Sequence, residues 1–273
     1  MPYFDYICSI VLKFIQLTFC FIFVSTAVAG DSTLNKARLI QSNLRNAVII
    51  SPGFARHVAM GTMSDRFGNS NTIGLAAGYK FGRNYTFTAG ADIIFSGRVK
   101  ENTMFDSITG PSGSMIDAQG NLAVVRLYER GYHFHFDFGK IIVLDRIHRN
   151  SGLLLSGGIG MMQHKIKFQF TRTIMPQLEN DIYKGYDRLS NGMMLRGFAG
   201  YHRMEPGEMF SYYIGLEYLK GFTRSRRELN YDTRTRDTSL RNDILFGLKF
   251  GLIIPIHGRQ AGTKKGEEEQ YFQ

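Results

Sequence analysis

The run Tyr132-His133-Phe134-His135-Phe136-Asp137-Phe138-Gly139 constrains this chain more than any other stretch, because its side chains keep a period of two without exception. Successive residues of a strand point to opposite faces, so one face carries Tyr132, Phe134, Phe136 and Phe138 and the other His133, His135, Asp137 and Gly139. Taken alone, the run does not say which face meets water. The same alternation returns in Tyr212, Ile214, Leu216 and Tyr218 (with Phe210 before them) against Ser211, Tyr213, Gly215 and Glu217, and in Ile244, Phe246, Leu248, Phe250 and Leu252 against Asp243, Gly247, Lys249 and Gly251. A soluble sandwich fills its interior with the large apolar row; here the opposite row is small or charged, as a barrel lumen requires when lipid takes the apolar side. The pattern predicts an all-β chain: a transmembrane antiparallel up-and-down β-barrel of about eight strands.

The strands follow in order. The first begins near Ala47 and runs through Val48, Ile50 and Phe54, with Pro52 tolerable only at an edge-like or bulged position. The second spans Thr72–Phe81 and a tight turn at Gly82-Arg83-Asn84 leads to the third, Tyr85–Ser96. The fifth is expected over Leu153–Lys167, the sixth over Gly192–Arg203 with Arg196 turned inward and Leu195, Ala199 and Tyr201 outward, and the eighth ends near Ile256. Links after the second, fourth and sixth strands are short, whereas Arg98–Arg130, Thr171–Asn191 and Thr223–Arg241 are long and charged. Outer-membrane barrels have short periplasmic turns and long extracellular loops, so both termini are expected in the periplasm. Eight strands enclose a space just wide enough for their own side chains, which disfavours a small transport pore.

The N-terminus reads as an export leader. Lys13 precedes the apolar run Phe14–Val24 and the Ala27-Val28-Ala29 cleavage pattern, so residues 1–29 are expected to be removed after Ala29. Cys8 and Cys20 both fall in this leader, so disulfides, thiolate metal sites and cysteine nucleophiles are not expected in the mature chain. The expected divisions are thus the signal peptide 1–29, a periplasmic segment 30–46 that forms a short helix or lies inside the barrel, the outer-membrane barrel 47–256, and a hydrophilic periplasmic tail 257–273.

Several groups bear on chemistry. His133, His135 and His164, with Asp137, could act as acid/base groups or ligands. A narrow lumen also needs hydrogen-bonded polar filling, and no compact ligand spacing along the chain supports a metal, so neither a catalytic role, a metal nor a cofactor is expected. Lys80, Asp92, Asp137, Arg196, Glu217 and Lys249 read as a lumen ion-pair network, since charges withdrawn from water must be paired. The net charge is +10, and Arg224, Arg226, Arg227, Arg234, Arg236 and Arg241 make the last loop basic. Guanidinium groups suit the phosphates of lipopolysaccharide, while Glu228, Asp232 and Asp237 allow the plainer reading of a solvated loop with internal ion pairs. No recognition motif accompanies these arginines, so nucleic acid is not an expected partner.

The segments NLAVVRLYERGYHF, GMMQHKIKFQF, MPQLENDIYKGYDRLSNG and GFTRSRRELNYDTRTRDTSLRNDILFGLKFGLIIPI resemble an uncharacterised group of Bacteroidota outer-membrane β-barrel proteins over nearly the whole mature chain. The resemblance implies the barrel, the cleaved leader and the outer membrane, and assigns no catalytic residue. By analogy it admits a subunit of a secretion or assembly complex. Two functions compete at this point: a non-enzymatic barrel whose long loops bind a protein partner or lipopolysaccharide, and a lipid-modifying enzyme using His133, His135 or His164 with a loop Ser or Asp.

Overall fold

The computed structural model describes residues 46–101, 103–106, 108–109, 115–123, 125–144, 150–170, 182–204 and 211–256. The expected leader with Cys8, Cys20 and Ala29, residues 30–45 and the tail 257–273 lie outside the described residues. Eight strands close into one antiparallel barrel: β1 Ala47–Gly61, β2 Asn69–Lys80, β3 Tyr85–Ser96, β4 Val125–Val143, β5 Gly152–Phe170, β6 Ser190–Arg203, β7 Ser211–Ser225 and β8 Arg241–Ile256. Each pairs with its sequence neighbours, and β8 pairs with β1 to close the sheet. Among the described residues no helix is long and apolar enough to cross a membrane.

Register fixes the shape. A walk along paired residues from Ile50 through Ala77, Ala89, Phe136, Ile159, Leu195, Lys220 and Ile244 returns to β1 at Met60, a stagger of ten residues. With eight strands this stagger tilts the strands about 40° from the barrel axis. The period of two then sorts the wall: Phe134, Phe136 and Phe138 are 52, 56 and 57% exposed, against 0, 2 and 3% for His133, His135 and Asp137. Outward residues form an apolar belt, including Phe54, Ile73, Ile93, Ile214, Leu216, Leu248 and Phe250. Tyr79, Tyr85, Tyr201 and Tyr212 gird its short-turn end, where Tyr85 stacks on Phe138 with Lys140 Nζ 3.7 Å from its ring centroid. Amphipathic rings of this kind suit a membrane–water boundary.

Several boundaries differ from the sequence reading. Pro52 sits inside β1 without a bulge: the β1–β8 register is the same before and after Ser51-Pro52, the ladder merely lapses there, and Pro52 faces Leu75 on β2. Between β1 and β2 a four-residue helix forms, α1 Met63–Arg66, and β2 begins at Asn69 rather than at Thr72. Val125–Arg130, read as loop, is strand, and β5 runs on to Phe170; these two strands pair over Val125↔Phe170 while β5 leaves β6 at His164↔Ser190. The β4–β5 hairpin therefore stands above the rest of the wall on the long-loop side. Arg224 likewise lies in β7 rather than in the last loop.

Candidate functional site

The lumen is filled in layers, each placed by the inward row of the strands. Five of the six charges read as one network converge at mid-barrel. Lys249 Nζ lies 3.0 Å from Asp92 and 3.2 Å from Glu217; Arg196 lies 2.6 Å from Glu217 and also bonds Asp137. Lys80 stands apart: it donates to Asn150 Oδ1 at 2.9 Å near the short-turn end, because β2 carries it there and Asn150 closes the β4–β5 turn. The sequence reading omitted His57, whose Nε2 is 2.8 Å from Glu217 Oε2. Its alternation with Arg56 and Val58 was the available signal. Three carboxylates thus face two cations, with His57, His133 and His135 beside them.

The three histidines named as candidates divide between two layers. His133 and His135 are buried in the mid-barrel layer, with Nδ1 atoms 3.7 and 3.5 Å from Asp92 Oδ2; His135 Nε2 is 3.5 Å from Asp137. His164, nearer the mouth, is 2.8 Å from Asp243 Oδ2, which also accepts from Thr223 Oγ1 at 2.5 Å, while Thr62 donates to Asp243 Oδ1 at 2.8 Å. A nucleophilic pair needs its hydroxyl bonded to the imidazole. Here both hydroxyls turn to the carboxylate, which spends the Asp243 lone pairs on fastening strands together.

An apolar plug surrounds the His164–Asp243 layer: in the inward rows Met162, Leu219 and Leu245 stand between it and the mid-barrel charges, and Ile166 stands on its mouth side. Ile94, Met162, Ile166, Met194, Leu219 and Leu245 from the wall pack with Met63, Phe67, Met104, Phe105, Met115 and Tyr186 from the outer connections, all buried. Methionine adapts to irregular gaps, as a junction of wall and loops demands. Phe67 meets His164 edge-on with ring centroids 5.5 Å apart, which seals the polar layer.

A roof of ion pairs closes the mouth and ties all four outer connections. Arg66 of α1 reaches Glu101 at 3.3 Å and Asp237 at 3.5 Å; Arg188 bonds Glu101 at 2.8 Å and Asp232 through both terminal nitrogens; Arg227 clasps Asp187 at 2.7 and 2.5 Å. Burial alone would lower the Arg188 guanidinium, but Asp232 and Glu101 outweigh it and hold it above its ordinary value. Burial and the neighbouring Arg241 push Arg66 down. Burial would raise the Asp232 carboxyl, yet the bond from Arg188 holds it below the usual carboxylate range.

The six arginines of the basic patch do not act alike. Arg227 and Arg241 are engaged inside the roof, Arg241 with the Thr62 carbonyl at 2.8 Å and Asp237 at 3.9 Å. Arg224, Arg226, Arg234 and Arg236 are exposed, and Arg226 bonds the Asn191 side chain. A second basic surface was not read from the sequence. On the outward face of the β4–β5 hairpin Arg126, Tyr128 and Arg130 pair with Gln169, Lys167 and Lys165, and Gln163 below them leads through Asn191 to Arg224. The signal was present in the alternation, hidden by counting Val125–Arg130 as loop.

Fold and filling define the class: an eight-stranded transmembrane β-barrel, closed through its lumen by ionic and apolar layers and roofed by its loops. No protein-family model and no curated protein matches the sequence. Among solved structures the chain is similar to the attachment invasion locus protein Ail of Yersinia pestis (10% identity, 77% of this chain and 98% of that one, TM-score 0.40), to Neisserial surface protein A (10%, 77% and 97%, 0.36) and to the outer membrane protein OprG of Pseudomonas aeruginosa (11%, 76% and 96%, 0.36).

Proposed function

We propose that the protein is a non-enzymatic outer-membrane barrel that engages the phosphorylated glycolipid of the outer leaflet through its outward basic rim. One observation carries this reading: Arg126, Arg130, Lys165 and Lys167 lie side by side on the outward face of β4 and β5, directly beyond the apolar belt, with Arg224 on β7 continuing the band and no carboxylate among the paired positions. Cations at that height meet the headgroup phosphates of lipid packed on Tyr132, Phe134, Ile159 and Met161. Even strand number, short turns at one end and long connections at the other support the outer membrane, with both termini periplasmic. The filled lumen argues against conduction.

The test is glycolipid retention. Full-length protein extracted gently from outer membranes should carry phosphorylated glycolipid by native mass spectrometry, and the combined substitution Arg130→Gln, Lys165→Gln, Lys167→Gln and Arg224→Gln should lower the bound amount several-fold. Equal retention by both proteins would end the proposal.

A second reading, a protein partner in a secretion or assembly complex, rests on the apolar tips of the outer connections: Leu122 is 69% and Ile116 49% exposed, and Leu229 and Tyr231 are also exposed. Substituting Ile116 and Leu122 by Ser would dissociate such a partner while leaving glycolipid retention intact.

A further inference from the structure

We infer that Asp92, His133 and His135 form a three-ligand site for a divalent transition-metal ion of the zinc type inside the barrel. His133 and His135 are two apart on β4, so both point inward, and the register Asp92↔His133 brings the carboxylate from β3 alongside them. Spacing along the chain misses this set because its third member comes from another strand. One ligand atom from each residue lies within 4.8 Å of the other two, and all three residues are buried.

The distances favour a shared ion over direct hydrogen bonds. Asp92 Oδ2 is 3.7 Å from His133 Nδ1 and 3.5 Å from His135 Nδ1, too long for good hydrogen bonds. Zinc bonds of about 2.0–2.1 Å in tetrahedral geometry set neighbouring ligand atoms about 3.3–3.4 Å apart, so the two Asp92–imidazole distances need to contract by only a few tenths of an ångström. Both ring nitrogens of His133 and Nδ1 of His135 are buried without a hydrogen-bond partner. Orphaned buried polar atoms of this kind call for an unseen partner.

Neighbouring groups fit as well. Asp92 gives Oδ1 to Lys249 and keeps Oδ2 for the ion, so its two oxygens are divided between them. The layer's carboxylates, Asp92, Asp137 and Glu217, exceed its fixed cations, Arg196 and Lys249, by one, and a cation offsets that excess. A cavity of about 70 Å³ borders Asp92 and His135, with room for water as a fourth ligand. Two imidazoles with one carboxylate suit zinc, cobalt or nickel better than calcium or magnesium, which take oxygen ligands.

The test folds the mature chain, residues 30–273, which lacks the leader cysteines Cys8 and Cys20, without a polyhistidine tag into detergent micelles in the presence of Co²⁺ and removes free ion by desalting. We expect about one Co²⁺ per folded barrel, displaced by Zn²⁺, with the intense visible absorption of a tetrahedral site. His133→Gln and His135→Gln should each cut the bound ion about tenfold or more, while His57→Gln and His164→Gln, whose imidazoles bond Glu217 and Asp243, should retain it. A folded wild-type barrel without bound cobalt, or retention by His133→Gln and His135→Gln, would overturn the inference. Should those variants fail to fold, the wild-type spectrum decides: weak, octahedral absorption refutes the site and tetrahedral absorption displaced by Zn²⁺ supports it.

Discussion

The ionic layer at mid-barrel and the ion-paired roof over the mouth use the same residue types, yet different causes hold them in place. Asp92, Asp137, Arg196, Glu217 and Lys249 stand on strands, their directions dictated by the pleat, and none of their side chains is more than 7% exposed. Arg66, Glu101, Arg188, Asp232 and Asp237 stand on the outer connections, where each pair fixes the loops that carry it, and their carboxylates keep 16–21% exposure. Desolvation makes an unbalanced charge costly in the first network, while partial solvation and side-chain entropy limit what each pair contributes in the second. Substitutions should therefore separate the two sharply.

The largest effect should come from Arg196→Met. It leaves Asp137 and Glu217 with Lys249 as the one remaining fixed cation of the layer, and removing one partner of a buried network destabilises by about 3–5 kcal/mol. Urea unfolding in micelles, followed by the gel shift between folded and unfolded barrel, measures it. Glu217→Gln removes three contacts but leaves two carboxylates facing two cations, so its cost should be smaller, about 1–3 kcal/mol. If Glu217→Gln proved the worse of the two, the charge count would not govern this layer.

This difference also explains what the sequence made legible. Period-two alternation identified the barrel, its inward and outward rows and five of the network residues, because a strand's geometry transmits spacing directly into facing. Lys80 was misassigned because inward facing says nothing about height along the lumen: a tilted strand carries residues of one row from the mouth to the floor. Asp92 beside His133 and His135 could not be seen as a ligand set because register between strands is not written in either strand alone. The plug residues Met63, Phe67, Met104 and Phe105 gave no signal, since loops lack a period, and their burial depends on how the connections fold over the wall.

On the roof, Arg188→Gln should destabilise the whole barrel by only about 1 kcal/mol, discounted for the solvation of Asp232 and Glu101. Its main effect should be local. A protease added to the protein in micelles should cut the 226–240 connection several-fold faster than in the wild type, with the barrel still resisting unfolding. Equal cleavage would mean that the apolar plug, rather than the ion pairs, holds this connection.

Acid offers the gentlest way to part the two networks. Asp232 and Asp237 are held below the usual carboxylate range; burial opposes this, but the bonds from Arg188 to Asp232 and from Ser239 to Asp237 prevail. A carboxyl whose folded value is depressed contributes stability that is complete above its unfolded value, about 3.9, and is lost as pH falls through the lower folded value. The roof should therefore be intact from neutral pH to about pH 5 and loosen only below about pH 4. A spin label attached through Thr238→Cys, an exposed position of this connection, would report the change as increased mobility on acidification. Because Arg188 is the bonding partner, the Arg188→Gln protein should already be mobile at neutral pH and change little with acid. A label equally ordered at pH 3 and pH 7 in the wild type would show that the carboxylates are bystanders and that packing around Tyr186 and Tyr231, whose rings meet edge-on 5.7 Å apart, sets the loop.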